Sequence, residues 1–162
     1  MQSKFEDLLR TAEDHYLQPT EMNQFKQQVG ALQDRLTLYE ALRDQELTIF
    51  QVVAHQLQKE ASNIPQATLE QMLTRWISVL RYAAMAMLMD QPDYLENQLK
   101  FYAEILRRDV LNAINHNICL FLKQCLRSIL NDEQLVLLEP FIQRIDTHLV
   151  SIDKNRELVV MA

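Results

Sequence analysis

Apolar residues recur at helical spacing along almost the whole chain. Phe5, Leu8, Leu9, Ala12 and Tyr16 share one face of a helix that must stop before Pro19, because a residue preceding proline is pushed out of the α region. This predicts a helix over 3–15. Met22, Phe25, Val29, Leu32, Leu36 and Tyr39 follow in steps of three and four, with Thr20 as cap and an end near Arg43. Asp44 can cap a third helix whose inward residues are Leu47, Phe50, Val53, Ala54 and Leu57, closed by Asn63-Ile64-Pro65. Thr68 and Gln71 have capping-box spacing at the head of the longest pattern, Leu69, Met72, Leu73, Trp76, Leu80, Ala83, Met87 and Leu88. A helix over 67–89 would be about 34 Å long and could cross the whole domain. Pro92, with Asp93 and Glu96, suits the first turn of a helix ending at Arg107-Arg108. Leu111, Ile114, Ile118, Phe121, Leu122, Cys125 and Ile129 form the next face. Asn131 and Gln134 open a last helix, which Pro140 should kink or split by removing a ladder donor, and the tail after Asp153 can fray.

Composition agrees with an all-helical chain. Gly30 and four prolines are too few turn residues for hairpins or βα loops. A length of 162 residues fits one domain, and 48% apolar against 23% charged residues excludes a disordered tail or a collagen. Gly30 falls inside a helical pattern, where it costs about 1 kcal/mol relative to alanine, so close approach of another helix is its expected reason. The formal charge is −6, and no basic run exceeds the pair Arg107 and Arg108, which argues against nucleic acid as a partner. No apolar stretch reaches membrane-span length and the first residues are acidic, so neither insertion nor export is expected. Cys119 and Cys125 are about 9 Å apart along one helix, beyond disulfide reach, and read as reduced core thiols of a cytoplasmic protein.

Candidate chemistry is sparse. His15, His55, His116 and His148 fall on different predicted elements, with no His-x-x-x-His or Cys-x-x-Cys pair to hold a metal. Residues 92–108 contain no histidine to ligate a haem in the globin manner. His55 beside Val53 and Ala54 reads as a hydrogen-bonded boundary residue, and His116 between Asn115 and Asn117 as part of a solvated face. Glu6-Asp7 and Glu13-Asp14 lie on exposed faces, where nothing raises a carboxylate's pKa for acid catalysis. Met85, Met87 and Met89 spread around a helix and read as packing filler. One glycine cannot build a phosphate loop or a nucleophile elbow, so no enzyme is expected.

Several motifs in register resemble the phycobiliproteins, the globin-fold antenna subunits that include phycocyanin and allophycocyanin. Ala12-Glu13-x-x-Tyr16-Leu17-x-Pro19-x-Glu21 resembles the family's connection between its first two helices, which packs one subunit on its partner. Thr48-Ile49, Gln56-Leu57 and Lys59 resemble its third helix, and Leu80-Arg81-Tyr82-Ala83 with Ala86-Met87-Leu88 and Pro92 resembles its pigment helix. The likeness covers about residues 5–100. It implies a globin-like single domain of about seven helices: an N-terminal docking helix over 1–18, a core over 19–153 and a tail over 154–162.

The departures bear on function. The family's pigment helix reads Cys-x-Arg-Asp-x-Asp-Tyr-Tyr-Leu-Arg-Tyr. Counting back from Tyr82, the cysteine position is Met72, the arginine is Thr74, and the two aspartates are Arg75 and Ile77. A thioether has no proton to lose and cannot become the thiolate that attacks a pigment. Arg75 replaces an acceptor for pyrrole N–H groups with a donor. Thr11 stands where an aspartate helps join unlike antenna subunits, and the loop around Ser62-Asn63-Ile64-Pro65 is short. The chain therefore resembles the uncoloured bilin-biosynthesis-associated globins more than an antenna subunit.

What the resemblance implies is an interaction or assembly factor linked to phycobilisomes or bilin metabolism, peripheral to thylakoid-associated antenna. Its partner would be a second copy or a phycobiliprotein-like or bilin-pathway protein, met through Phe5, Leu8, Leu9, Ala12 and Tyr16. The alternative is a carrier that holds a tetrapyrrole without a covalent bond, at the ancestral pigment positions Met72, Arg75, Trp76, Arg81 and Tyr82, with Arg75, Arg81 or Arg107 pairing propionates. Met72 and Trp76 have the volume and spacing to fill the ancestral pocket themselves.

Overall fold

The computed structural model describes residues 4–107 and 112–150. Among them are six α-helices and a π-helical turn, with no strand: α1 (Lys4–Asp14), α2 (Pro19–Glu60), α3 (Gln66–Met89), α4 (Pro92–Arg107), α5 (Asn112–Ile129), α6 (Asp132–Ile145) and the π turn Asp146–Val150. Residues 108, 111 and 154–162 and the Arg107 side chain, all named above, lie outside the described residues.

The two helices expected over 20–43 and 44–63 are one helix of 42 residues, α2. Asp44 caps nothing. It sits mid-helix, where its carboxylate accepts from Arg43 Nε at 3.0 Å. Nothing between Gly30 and Pro65 breaks a helix, and the three-and-four spacing runs on through Tyr39, Arg43, Glu46, Phe50, Val53 and Leu57. A good cap residue in an unbroken periodic run marks no boundary, because each interior residue adds a ladder bond at little further cost. Nor does Thr20 cap the start. Gln18 is the N-cap, its N–H donates to the Glu21 carboxylate at 3.1 Å, and Pro19 occupies the first turn.

The capping box expected at Thr68 and Gln71 is also absent. α3 begins directly after Pro65, whose carbonyl accepts from the N–H groups of Thr68 and Leu69. At the other end Asp90 adopts a left-handed conformation, φ 53°, and its N–H closes on the Met87 carbonyl at 3.1 Å. Asn131 does cap α6: its side chain accepts from Gln134 N at 2.8 Å, and Gln134 returns a bond at 3.2 Å. Pro140 does not split α6. Pro140 and Val136, whose carbonyl loses its donor, are both exposed, so water can satisfy the gap.

α3 is the centre. It packs on α2, α4, α5 and α6, while α2 also packs on α5 and the π turn on α4, α5 and α6. Buried residues form one cluster that begins on α2 at Leu38 and includes Ile49, Val53, Leu57, Met72, Trp76, Met87, Leu99, Ile118, Leu122 and Ile145. Leu47, expected to face inward, is 71% exposed, because Ile49, Phe50, Val53 and Leu57 set the buried face of α2 there. Two ion pairs tie later helices together, Arg144 of α6 with Glu96 of α4 and Lys123 of α5 with Asp146.

The N-terminal part of α2 lies before this core. α1 folds back on it, with Leu8 buried and Phe5 stacked on Phe25 at 5.4 Å between ring centroids. The face expected to be buried along Met22, Val29, Leu32 and Leu36 is instead substantially exposed. Nor do the described residues make the close approach expected at Gly30: beyond its own stretch of helix, a Cβ built there would meet none of them within 4 Å.

Candidate functional site

α2, α3 and the start of α4 enclose an open cleft of about 390 Å3. α2 supplies Tyr39, Leu42, Arg43 and Glu46; α3 supplies Leu80, Arg81, Tyr82, Ala84 and Met85; α4 supplies Tyr94. Residues 39, 43 and 46 on α2, and 81 and 85 on α3, stand three or four apart, so each helix brings one stripe to the cleft.

Arg81 crosses the mouth. Its Nε and Nη2 donate to the two carboxylate oxygens of Glu46 at 2.6 and 2.9 Å, a two-pronged contact between α3 and α2 that raises the guanidinium pKa. Arg43 pairs with Asp44 through Nε alone. Tyr82 heads an aromatic group, with Tyr102 at 5.9 Å and Tyr94 at 6.4 Å between centroids. Burial, then the neighbouring Tyr102 and Tyr94, push its pKa above the ordinary phenol value, so Tyr82 stays a protonated donor near neutral pH.

The five positions that the resemblance singles out therefore part company. Arg81 and Tyr82 line the cleft. Met72 and Trp76 are inside the core, 2% and 1% exposed, and the indole Nε1 donates to Asn115 Oδ1 at 3.0 Å. Arg75 is half-buried between them in sequence and does not line the cleft. Asn115 is thus no part of a solvated face, although its neighbour His116 is exposed. Along α5 the residue after a buried Ile114 is brought under α3, which pattern alone did not reveal.

The other candidates carry little chemistry. His15 and His55 are exposed, and Glu13 and Asp14 with them. Cys119 is buried, and its thiol donates to Asp146 Oδ1 at 3.5 Å. Burial and then the Asp146 carboxylate push its pKa up to about 12, against a smaller opposing pull from Lys123, so it is no nucleophile at neutral pH. Among the described residues no group of three or more His, Cys, Asp or Glu is placed to hold a metal ion. Among them, too, no helix is long and apolar enough to cross a membrane.

Of the N-terminal candidates, Leu8 is spent on α2 and Phe5 is half-buried there, whereas Leu9, Ala12 and Tyr16 remain exposed, Tyr16 at 97%. The reading from spacing missed Tyr39, Leu42, Arg43, Glu46 and Tyr94. Only the unbroken stripe along α2 hinted that 39, 43 and 46 belong with the exposed apolar positions before them. No family model matches this chain, and no curated protein matches it.

Proposed function

We propose that this chain is a non-enzymatic interaction protein of phycobiliprotein-like, globin-type build that carries no covalent bilin. It docks its α1–α2 arm on another protein: a second copy, or a phycobiliprotein-like or bilin-pathway partner. The observation that carries this reading is the uncovered apolar stripe of the arm. On one face of α2, Met22 is 46%, Val29 44%, Leu32 40% and Leu36 44% exposed, beside Leu9 at 47% on α1. Burying what remains exposed of each is worth on the order of 1 kcal/mol, enough together to hold a partner. The stripe keeps the strict three-four alternation of helix-on-helix seams and runs into the cleft at Tyr39. The missing cysteine at Met72 fits an uncoloured relative.

The test is sedimentation of the full chain beside a Leu32→Glu, Leu36→Glu variant. The native chain is expected to associate, alone or with the partner, and the variant to stay monomeric at unchanged helicity. Removal of residues 1–18 is expected to weaken association as well. Unchanged mass and partner retention in both variants would overturn the reading.

A second reading is favoured by the placement of Arg81 and Tyr82 in the cleft. A tetrapyrrole held there without a covalent bond would rest on Tyr39, Tyr82 and Tyr94 and pair a propionate with Arg81. Met72 and Trp76 offer it no room, being packed in the core. Titration with biliverdin and with haem decides: a visible-band shift at micromolar ligand, lost in Arg81→Ala, supports the carrier, and no shift removes it.

A further inference from the structure

Gly30 is the one glycine in 162 residues, and it stands inside α2. There it biases the backbone about fivefold against the helical state relative to alanine. Nothing among the described residues accounts for it. It is exposed, no described side chain, and no described backbone beyond its own stretch of helix, comes within 4 Å of where its Cβ would be, and its φ is not positive.

Its position along α2 is informative. Before it, α1 covers the helix through Phe5 on Phe25 and the buried Leu8. After it, Arg35 ties α2 to the helical body, its Nε donating to the Leu88 carbonyl of α3 at 3.0 Å, and Leu38 follows at 0% exposure. Residues 26–34 lie between these two anchorages, about 14 Å of helix in which Gln28 and Ala31 are half-buried and the rest, Gly30 included, are exposed. A helix held by packing on both sides of a short span bends most easily within the span, and most easily there at a residue without a Cβ.

We infer that Gly30 is a hinge, about which α1 and the outer part of α2 swing as one unit against the helical body. The role of that swing, presenting the apolar stripe to its partner, rests on the docking reading above; the hinge itself does not. An alanine at position 30 meets no obstruction from the described residues, so among them the substitution alters stiffness without altering packing.

Double electron–electron resonance on the full chain reads this directly. Spin-labelled unnatural residues at the exposed Gln24 and Gln51 leave Cys119 and Cys125 in place and stand about 40 Å apart on a straight helix. The native chain is expected to give a broad distance distribution that narrows at least twofold in Gly30→Ala. A glycine placed in the anchored part, Gln45→Gly, should leave the native width unchanged, because packing holds the helix there. A native distribution as narrow as that of Gly30→Ala would overturn the hinge, as would a Gln45→Gly distribution broadened beyond the native one. The measurement needs no partner, so a stiff arm would sink the hinge while leaving docking intact, and failed association in the sedimentation test would do the reverse.

Discussion

The indole Nε1 of Trp76 donates to Oδ1 of Asn115 at 3.0 Å inside the core, joining α3 to α5. A tryptophan this deeply buried needs an acceptor, and Asn115 is the buried polar residue that supplies one. Asn115→Leu should strand the indole N–H and cost about 1–3 kcal/mol in urea unfolding. Adding Trp76→Phe removes the stranded donor, so the double variant should lose less than the sum of the two single changes.

The Arg81–Glu46 contact has better geometry but far less shelter, with the arginine side chain 67% exposed. Glu46→Gln should therefore change stability by less than about 1 kcal/mol, and less again in high salt. Thermal melts at low and high ionic strength would show this. A larger loss would mean that the pair, and with it the cleft, holds α2 to α3.

Asp90 adopts φ 53° at the end of α3, a conformation that favours glycine or asparagine. Asp90→Gly should be neutral or stabilise by a few tenths of a kcal/mol, while Asp90→Val should cost roughly 1–2 kcal/mol through its β-branch. Chemical denaturation of both variants separates the backbone effect from any role of the carboxylate.

At the head of α6, Asn131→Ala removes the acceptor of the Gln134 N–H and should cost about 1 kcal/mol, measurable as a lower denaturation midpoint.

Alkaline pH provides an independent check on the core. The Cys119 thiol is raised from 9.0 to about 12 in the fold, mainly by burial, so the unfolded chain releases its proton first. Stability should be unaffected by this group below pH 9 and should fall as pH rises from 9 toward 12, with Tyr82 contributing in the same direction. Cys119→Ala should flatten part of that decline in urea melts at pH 8 and pH 10.5. It should also abolish any slow reaction of the native protein with a thiol reagent at this position.

Helical class, the extent of α3, the start of α4 at Pro92 and the Asn131–Gln134 cap follow from the residues alone, because local periodicity, proline and cap chemistry act within a few positions. Whether residues 20–43 and 44–63 are one helix or two was not legible in the same way, since Asp44 is a good cap residue that the continuing stripe overrides. Nor could spacing tell a covered stripe from an exposed one: Met22, Val29, Leu32 and Leu36 repeat as regularly as Phe50, Val53 and Leu57, yet only the second set is buried. Pattern specifies the face of a helix, whereas the neighbours that cover it come from distant parts of the chain. For the same reason Met72 and Trp76 fall in the core while Arg81 and Tyr82, one to three turns further along α3, open on the cleft with Glu46 and Tyr94. Only the packing of α2, α3 and α4 brings those side chains together, because Glu46 and Arg81 stand 35 positions apart and even Tyr82 and Tyr94 lie on different helices, beyond the reach of any local rule.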